Sequence, residues 1–349
     1  MLRQIFIILN DKLIYQRKYA KGLDKNLLTD TFQIVKSIEL IESETNIGTY
    51  EVFKYKLSYI IDKDSDLIIL FVSGIIDDFK EIKSHLIKFK RDFLEFYGDS
   101  IREEDFEVIN EVLDPIVDKI HSNLKPKISI VGFSGVGKTT TTRLIKSDKI
   151  PMRHIPTITG EIATIKIGKL SFLLWDFAGQ DEFNFLWEKF ITGSDAVLLM
   201  TDSTLENIEK SRFFIELANK AVPHAQFAVI ANKQDVPNAM KVEDIERIMG
   251  RKTYGFVAID VENRSKMIRI IADLLEMDKE VSPLLRPLLE RENLMNEAQK
   301  ALEGGEFSEA AVLFEKISNL CLELGDDSLA IDFQTKSEKI SSMLKFITT

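Results

Sequence analysis

The sequence predicts an α/β domain built on a mostly parallel six-stranded sheet, preceded by an α+β unit and followed by an all-α tail. Three observations carry this reading. Gly132-Phe133-Ser134-Gly135-Val136-Gly137-Lys138-Thr139 has the G-x-x-x-x-G-K-[ST] spacing and sits between a short apolar run, 128–131, and a helix-compatible stretch from Thr140. Downstream, apolar runs alternate with helical periodicity, the pattern of a parallel sheet. Upstream, strands are followed by helices, which implies an antiparallel sheet with helices on one side. The expected boundaries are 1–122, 127–279 and 284–349, separated by a short polar linker with Pro126 and by Pro283 and Pro287.

Taken in order, 3–9 and 13–19 read as strands joined at Asn10-Asp11. Asp24 caps a helix whose apolar face carries Leu28, Phe32, Val35 and Ile38. After a polar break at 42–48, 50–61 and 67–73 read as a second strand pair. A long helix follows, with Ile82, Leu86, Phe89, Phe93 and Phe96 in alternating steps of four and three until Gly98. Phe106, Ile109, Leu113, Ile116 and Ile120 mark another helix, with Pro115 as a kink or restart. This unit carries no histidine cluster and no nucleophile signature, so binding is expected of it rather than catalysis. Its element order and its opening Ile-Leu-Asn-Asp-Lys-Leu-Ile-Tyr resemble the longin domain. An unrelated α+β unit of the roadblock or profilin type stands as the alternative, and because longin and roadblock sheets can pair, a homodimer through this unit is open.

In the middle segment, apolar runs recur at 128–133, 170–177, 196–201, 227–231 and 256–259, and 163–167 alternates in period two as an antiparallel edge strand. Chemistry-bearing residues bound the C-terminal ends of the runs, where open α/β sheets bind ligands. Glycines in the loop let successive N–H groups of Ser134, Gly135, Val136, Gly137, Lys138, Thr139 and Thr140 turn toward phosphate. The helix N-terminus and Lys138 add positive charge, and the Thr139 hydroxyl can ligate Mg²⁺. Asp176, in Trp175-Asp176-Phe177-Ala178-Gly179-Gln180, can hold Mg²⁺ through water, Gly179 can approach a γ-phosphate, and Gln180 can orient a hydrolytic water. In Asn232-Lys233-Gln234-Asp235, Asp235 can accept two hydrogen bonds from guanine that adenine does not offer. Thr157 can close over the nucleotide by ligating Mg²⁺ and touching the γ-phosphate.

These motifs together resemble an Arf-like small GTPase of the Ras superfamily. The match runs through Ile155-Pro156-Thr157-Ile158, Trp175-Asp176 with Gly179-Gln180-Asp181, Leu186-Trp187, and Ala231-Asn232-Lys233-Gln234-Asp235-Val236-Pro237-Asn238-Ala239-Met240. The resemblance implies GTP and GDP binding with Mg²⁺, slow hydrolysis of GTP, and effectors bound through switches at about 153–160 and 178–190. It implies catalytic roles for Gln180, Lys138 and Thr157, metal ligation by Thr139, Thr157 and Asp176, and nucleotide contacts from the phosphate loop, Gly179, Asn232, Lys233, Asp235 and Ala258. The sequence departs from the pattern at Ser134, at Ala178 and in Val257-Ala258-Ile259, where only Ala258 carries over. Arg153 lies close to where a built-in arginine finger would enter, with a solvated loop arginine as the other reading; His154 beside it reads as a solvated loop residue. An exchange factor, a GTPase-activating protein and effectors are the expected partners.

Composition bounds the alternatives. With 45% hydrophobic and 29% charged residues, the chain reads as globular, and a net charge of −10 argues against nucleic acid as its main partner. One cysteine, Cys321, excludes an intrachain disulfide and fits a reducing, cytoplasmic setting. No run approaches a membrane span and no lipidation motif is encoded, so membrane contact is expected only peripherally, through partners or a surface patch. In the tail, Ala298, Leu302, Gly305, Phe307, Ala310, Ala311 and Phe314 resemble one tetratricopeptide-like helix pair, and 328–346 adds a third helix. A plain helical extension is the other reading, and either way the hairpin should pack on the middle domain or on a partner. Two rival functions remain: a GTP-binding scaffold that does not hydrolyse, and a P-loop ATPase or kinase, which Asp235 argues against.

Overall fold

The computed structural model describes residues 1–41, 47–97, 106–146, 161–167, 170–176, 188 and 191–347. The first sheet has the order β2-β1-β5-β4-β3, all neighbours antiparallel. Its strands are β1 (Leu2–Leu9), β2 (Lys12–Lys18), β3 (Ile47–Val52), β4 (Tyr55–Asp62) and β5 (Leu67–Gly74). Asn10 and Asp11 take φ of 48° and 63°, the paired left-handed turn of a two-residue hairpin. The single strand expected over 50–61 is instead a hairpin: Phe53, at φ 53°, reverses the chain between β3 and β4. Apolar content on both sides of Phe53-Lys54 concealed a turn that lacks glycine.

Helices cover both faces of this sheet, not one. Helix α1 (Lys25–Ile41), whose Leu27 N–H is capped by Asp24 at 2.9 Å, packs Leu28, Phe32 and Val35 against Phe6, Ile8, Leu57, Leu70 and Val72. Helices α2 (Phe79–Tyr97) and α3 (Phe106–Asn123) pack Ile82, Leu86, Phe89, Phe93, Leu113 and Val117 on Ile5, Ile7, Ile69 and Phe71. Every residue of β1 and β5 is buried, as a strand covered on both sides requires. Helix α3 runs on across Pro115.

The second sheet has the order β11-β10-β9-β6-β8-β7. Strands β6 (Lys127–Val131), β8 (Leu170–Asp176), β9 (Ala196–Thr201), β10 (Gln226–Ala231) and β11 (Thr253–Gly255) are parallel, and β7 (Glu161–Ile167) is the antiparallel edge. The last strand lies earlier than the run 256–259 suggested. Phe256 and Ala258 are buried because the loop after β11 turns inward, Phe256 N–H donating to Ala231 O at 2.9 Å, while Ile259 is exposed. Residues of β9 and β10 alternate between two cores. One is shared with α4 (Lys138–Lys146) and α7 (Asn263–Leu274), the other with α5 (Leu205–Ala221) and α6 (Val242–Met249).

The tail is α8 (Arg286–Glu303), α9 (Phe307–Glu323) and α10 (Asp327–Ile347). Ala298, Ala310, Phe314, Cys321 and Phe333 form its own core, and Phe307 is exposed. Leu284, Leu285, Leu288, Leu320 and Leu324 join the core of the second sheet beside Leu144, Ile145 and Ile271. The helical hairpin therefore packs on the α4 and α7 side of the middle segment. The two sheets also meet: Ala20 pairs with Met277, Asp278 N–H donates to Tyr19 O at 2.7 Å, and Glu276 faces Lys54 at 3.0 Å and Arg3 at 3.6 Å.

Candidate nucleotide site

The site is built at the C-terminal ends of β6, β9, β10 and β11. From β6 the sheet order runs to β9, β10 and β11 on one side and to β8 and β7 on the other, so the loop after β6 lies at the topological switch point. Close approach requires its glycines. A Cβ on Gly132 (φ 144°) would stand 2.4 Å from Met200 O, and one on Gly137 (φ 103°) would stand 2.2 Å from Asn232 Nδ2 and 3.9 Å from the Ala258 Cβ. Gly137, Asn232 and Ala258, far apart in sequence, therefore come together. Ser134 is exposed, Val136 buried, and Thr139 and Thr140 are half-buried in the first turn of α4.

Lys138 is only 2% exposed, and its Nζ donates to Gly132 O at 2.9 Å and Phe133 O at 2.8 Å. The ammonium is thus drawn back across the loop that begins its own helix. A buried ammonium and a helix N-terminus at one place favour anionic ligands.

Asn232 ties the loops to one another. Its Nδ2 donates to Val136 O at 2.8 Å, and its Oδ1 accepts the Ala258 N–H at 2.9 Å. Its carbonyl accepts from Ser203 Oγ at 2.5 Å, and Gln234 Nε2 donates to Ser203 Oγ at 2.7 Å and to Met240 O at 3.1 Å. Lys233, at φ 62°, turns the chain so that Asp235 reaches the surface, where its carboxylate makes no hydrogen bond among the described residues. It is free to accept from a ligand. Ser203 was not anticipated from the sequence. It takes φ 66° and is fully buried; the polar run Thr201-Asp202-Ser203-Thr204 at the C-terminal end of an apolar run was its signal.

The loop backbone, the Lys138 ammonium and the exposed Asp235 carboxylate, unbonded among the described residues, fit a nucleoside polyphosphate. The Thr139 hydroxyl is a hard oxygen donor suited to Mg²⁺. Asp176 ends β8, the strand beside β6. Thr157, Gly179 and Gln180 lie outside the described residues, as do Arg153, His154 and, apart from Glu188, both expected switches.

Residues 113–279 match the model of the ADP-ribosylation factor family. The match begins inside α3, before the first strand of the second sheet. Among solved structures, the chain is similar to the Arl6 (BBS3) small GTPase of Trypanosoma brucei with bound nucleotide analogue GppNp. That similarity has 21% sequence identity and a TM-score of 0.34, covering 43% of this chain and 98% of the other.

Proposed function

From the premise that residues 113–279 are an Arf-family domain, we propose that the chain is a guanine-nucleotide switch that binds GTP or GDP with Mg²⁺ and hydrolyses GTP slowly. The observation that carries this reading is the convergence of Gly137, Asn232 and Ala258, with Asp235, three residues on from Asn232, exposed and making no hydrogen bond among the described residues. In this reading the N–H groups of 134–140 and Lys138 hold the phosphates, while Asn232 and Lys233 shape the base pocket closed by Ala258. Asp235 accepts from guanine, and adenine would leave that carboxylate without donors. Mg²⁺, held by Thr139, Asp176 and Thr157, would neutralise charge on the phosphates. Gln180 positions the attacking water and Gly179 approaches the terminal phosphate.

The first sheet, which we read as a longin-like domain over 1–122, and the tail over 284–349 supply contact with effectors, an exchange factor and a GTPase-activating protein. Phosphate release under single turnover tests the enzymatic part: the wild-type chain should release phosphate from GTP slowly and a Gln180→Leu variant slower still. Tight GTP binding with no phosphate released after long incubation with Mg²⁺ would favour the non-hydrolysing scaffold.

A further inference from the structure

The helix that begins at the phosphate loop is gripped at its other end by the tail. Helix α4 is nine residues long, and the carbonyls of its last turn have no partners within the helix. Arg264 of α7 donates through Nε to Leu144 O at 2.7 Å, and Arg291 of α8 donates through Nη2 to Ile145 O at 3.3 Å. Arg291 is completely buried and lies outside the family-matching segment. Its Nη1 bonds Asp326 Oδ2 at 3.1 Å, just before α10, and Glu292 lies 3.6 Å from both arginines. Two guanidinium groups at a helix C-terminus oppose its negative dipole end as well as satisfying carbonyls. A helix this short is marginal alone, so the placement of its first turn depends on what anchors its last.

We propose that Arg291 is a positioning residue for the phosphate site: it fixes the C-terminal end of α4, and with it the loop 132–138, so that nucleotide retention depends on the helical tail. The proposal rests on the guanine-nucleotide reading above. Leu288, Leu320 and Leu324, packed in the same core as Leu144 and Ile145, keep α8 in place, so displacement of α8 would loosen the phosphate loop.

The test uses the full chain as wild type, Arg291→Met, the charge-balanced pair Arg291→Met with Glu292→Gln, and Asp326→Asn. The pair guards against misfolding caused by a buried unpaired carboxylate. Two quantities are read: hydrogen exchange of the α4 amides without nucleotide, and dissociation of a fluorescent GDP. With Arg291 replaced, singly or in the pair, α4 should exchange and GDP should leave about tenfold faster, the scale of one lost charged hydrogen bond, with α5 and α6 unchanged. Asp326→Asn, which keeps the bond to Ile145, should stay within about threefold of wild type. Unchanged GDP dissociation, or loss of protection in α4, α5 and α6 together, would overturn the positioning role alone. Absence of guanine-nucleotide binding by the wild-type chain would overturn the nucleotide reading and this role with it.

Discussion

At the scale of single residues, the site depends on contacts too close for any side chain. Gly137→Ala would place a methyl group on Asn232 and strain a backbone at φ 103°, so loss of nucleotide affinity is expected together with about 1–3 kcal/mol of stability, read by nucleotide titration and denaturant unfolding. Asn232→Ala would orphan the Val136 carbonyl and the Ala258 N–H. A loss of about 2–4 kcal/mol is expected from two buried bonds broken at once, and an unchanged denaturation midpoint would show that the loops hold without it. Burial pushes the Cys321 thiol up to about 11 from 9.0. It should therefore resist alkylation at pH 8 until the chain is unfolded, which a denaturant-dependent labelling series would read. Because its proton is held more tightly in the folded state, its contribution to stability is complete below pH 9 and fades as pH rises toward 11. Tyr15 and Tyr19 act in the same direction, raised by burial and by donation to Asp114 and Asp118. Stability measured across this range should fall with rising pH.

At the scale of elements, the sequence was most legible where chemistry forced residue types together. Gly137, Asn232 and Ala258 could be named from their motifs, and these three meet in the structure, while Lys138 folds back onto the carbonyls of Gly132 and Phe133. Ser203 was missed because its role is to brace Asn232: the polar run at the end of β9 marked the place, but nothing in that run distinguished this serine from its neighbours. The hairpin at Phe53 was missed because an exposed aromatic in a left-handed conformation contradicts turn chemistry. That strain is testable: Phe53→Gly should raise stability by about 1 kcal/mol, since Phe53 is 82% exposed and little packing is lost. A fall would mean that the ring makes contacts worth more than its strain. The second covered face of the first sheet was readable in the apolar runs 5–9 of β1 and 67–72 of β5, which an alternating, one-sided strand would not show.

At the scale of the whole molecule, three structural units share buried polar contacts. His121, fully buried in α3, bonds the Leu2 carbonyl at 2.8 Å and Ser282 Oγ at 3.0 Å while stacking on Tyr19 at 4.0 Å. It thereby links the first sheet to the segment leading into the tail. His121→Ala should cost about 2–4 kcal/mol and separate one unfolding transition into two, observable by urea titration with probes in each half. Among the described residues, no helix is long and apolar enough to cross a membrane. The most direct measurement is titration of the purified chain with fluorescent GDP and a GTP analogue, with and without Mg²⁺, beside Asp235→Asn and Lys138→Ala. Tight, Mg²⁺-dependent binding that both substitutions abolish is the expected result. Binding indifferent to Asp235, or a preference for ATP, would contradict the guanine-nucleotide switch.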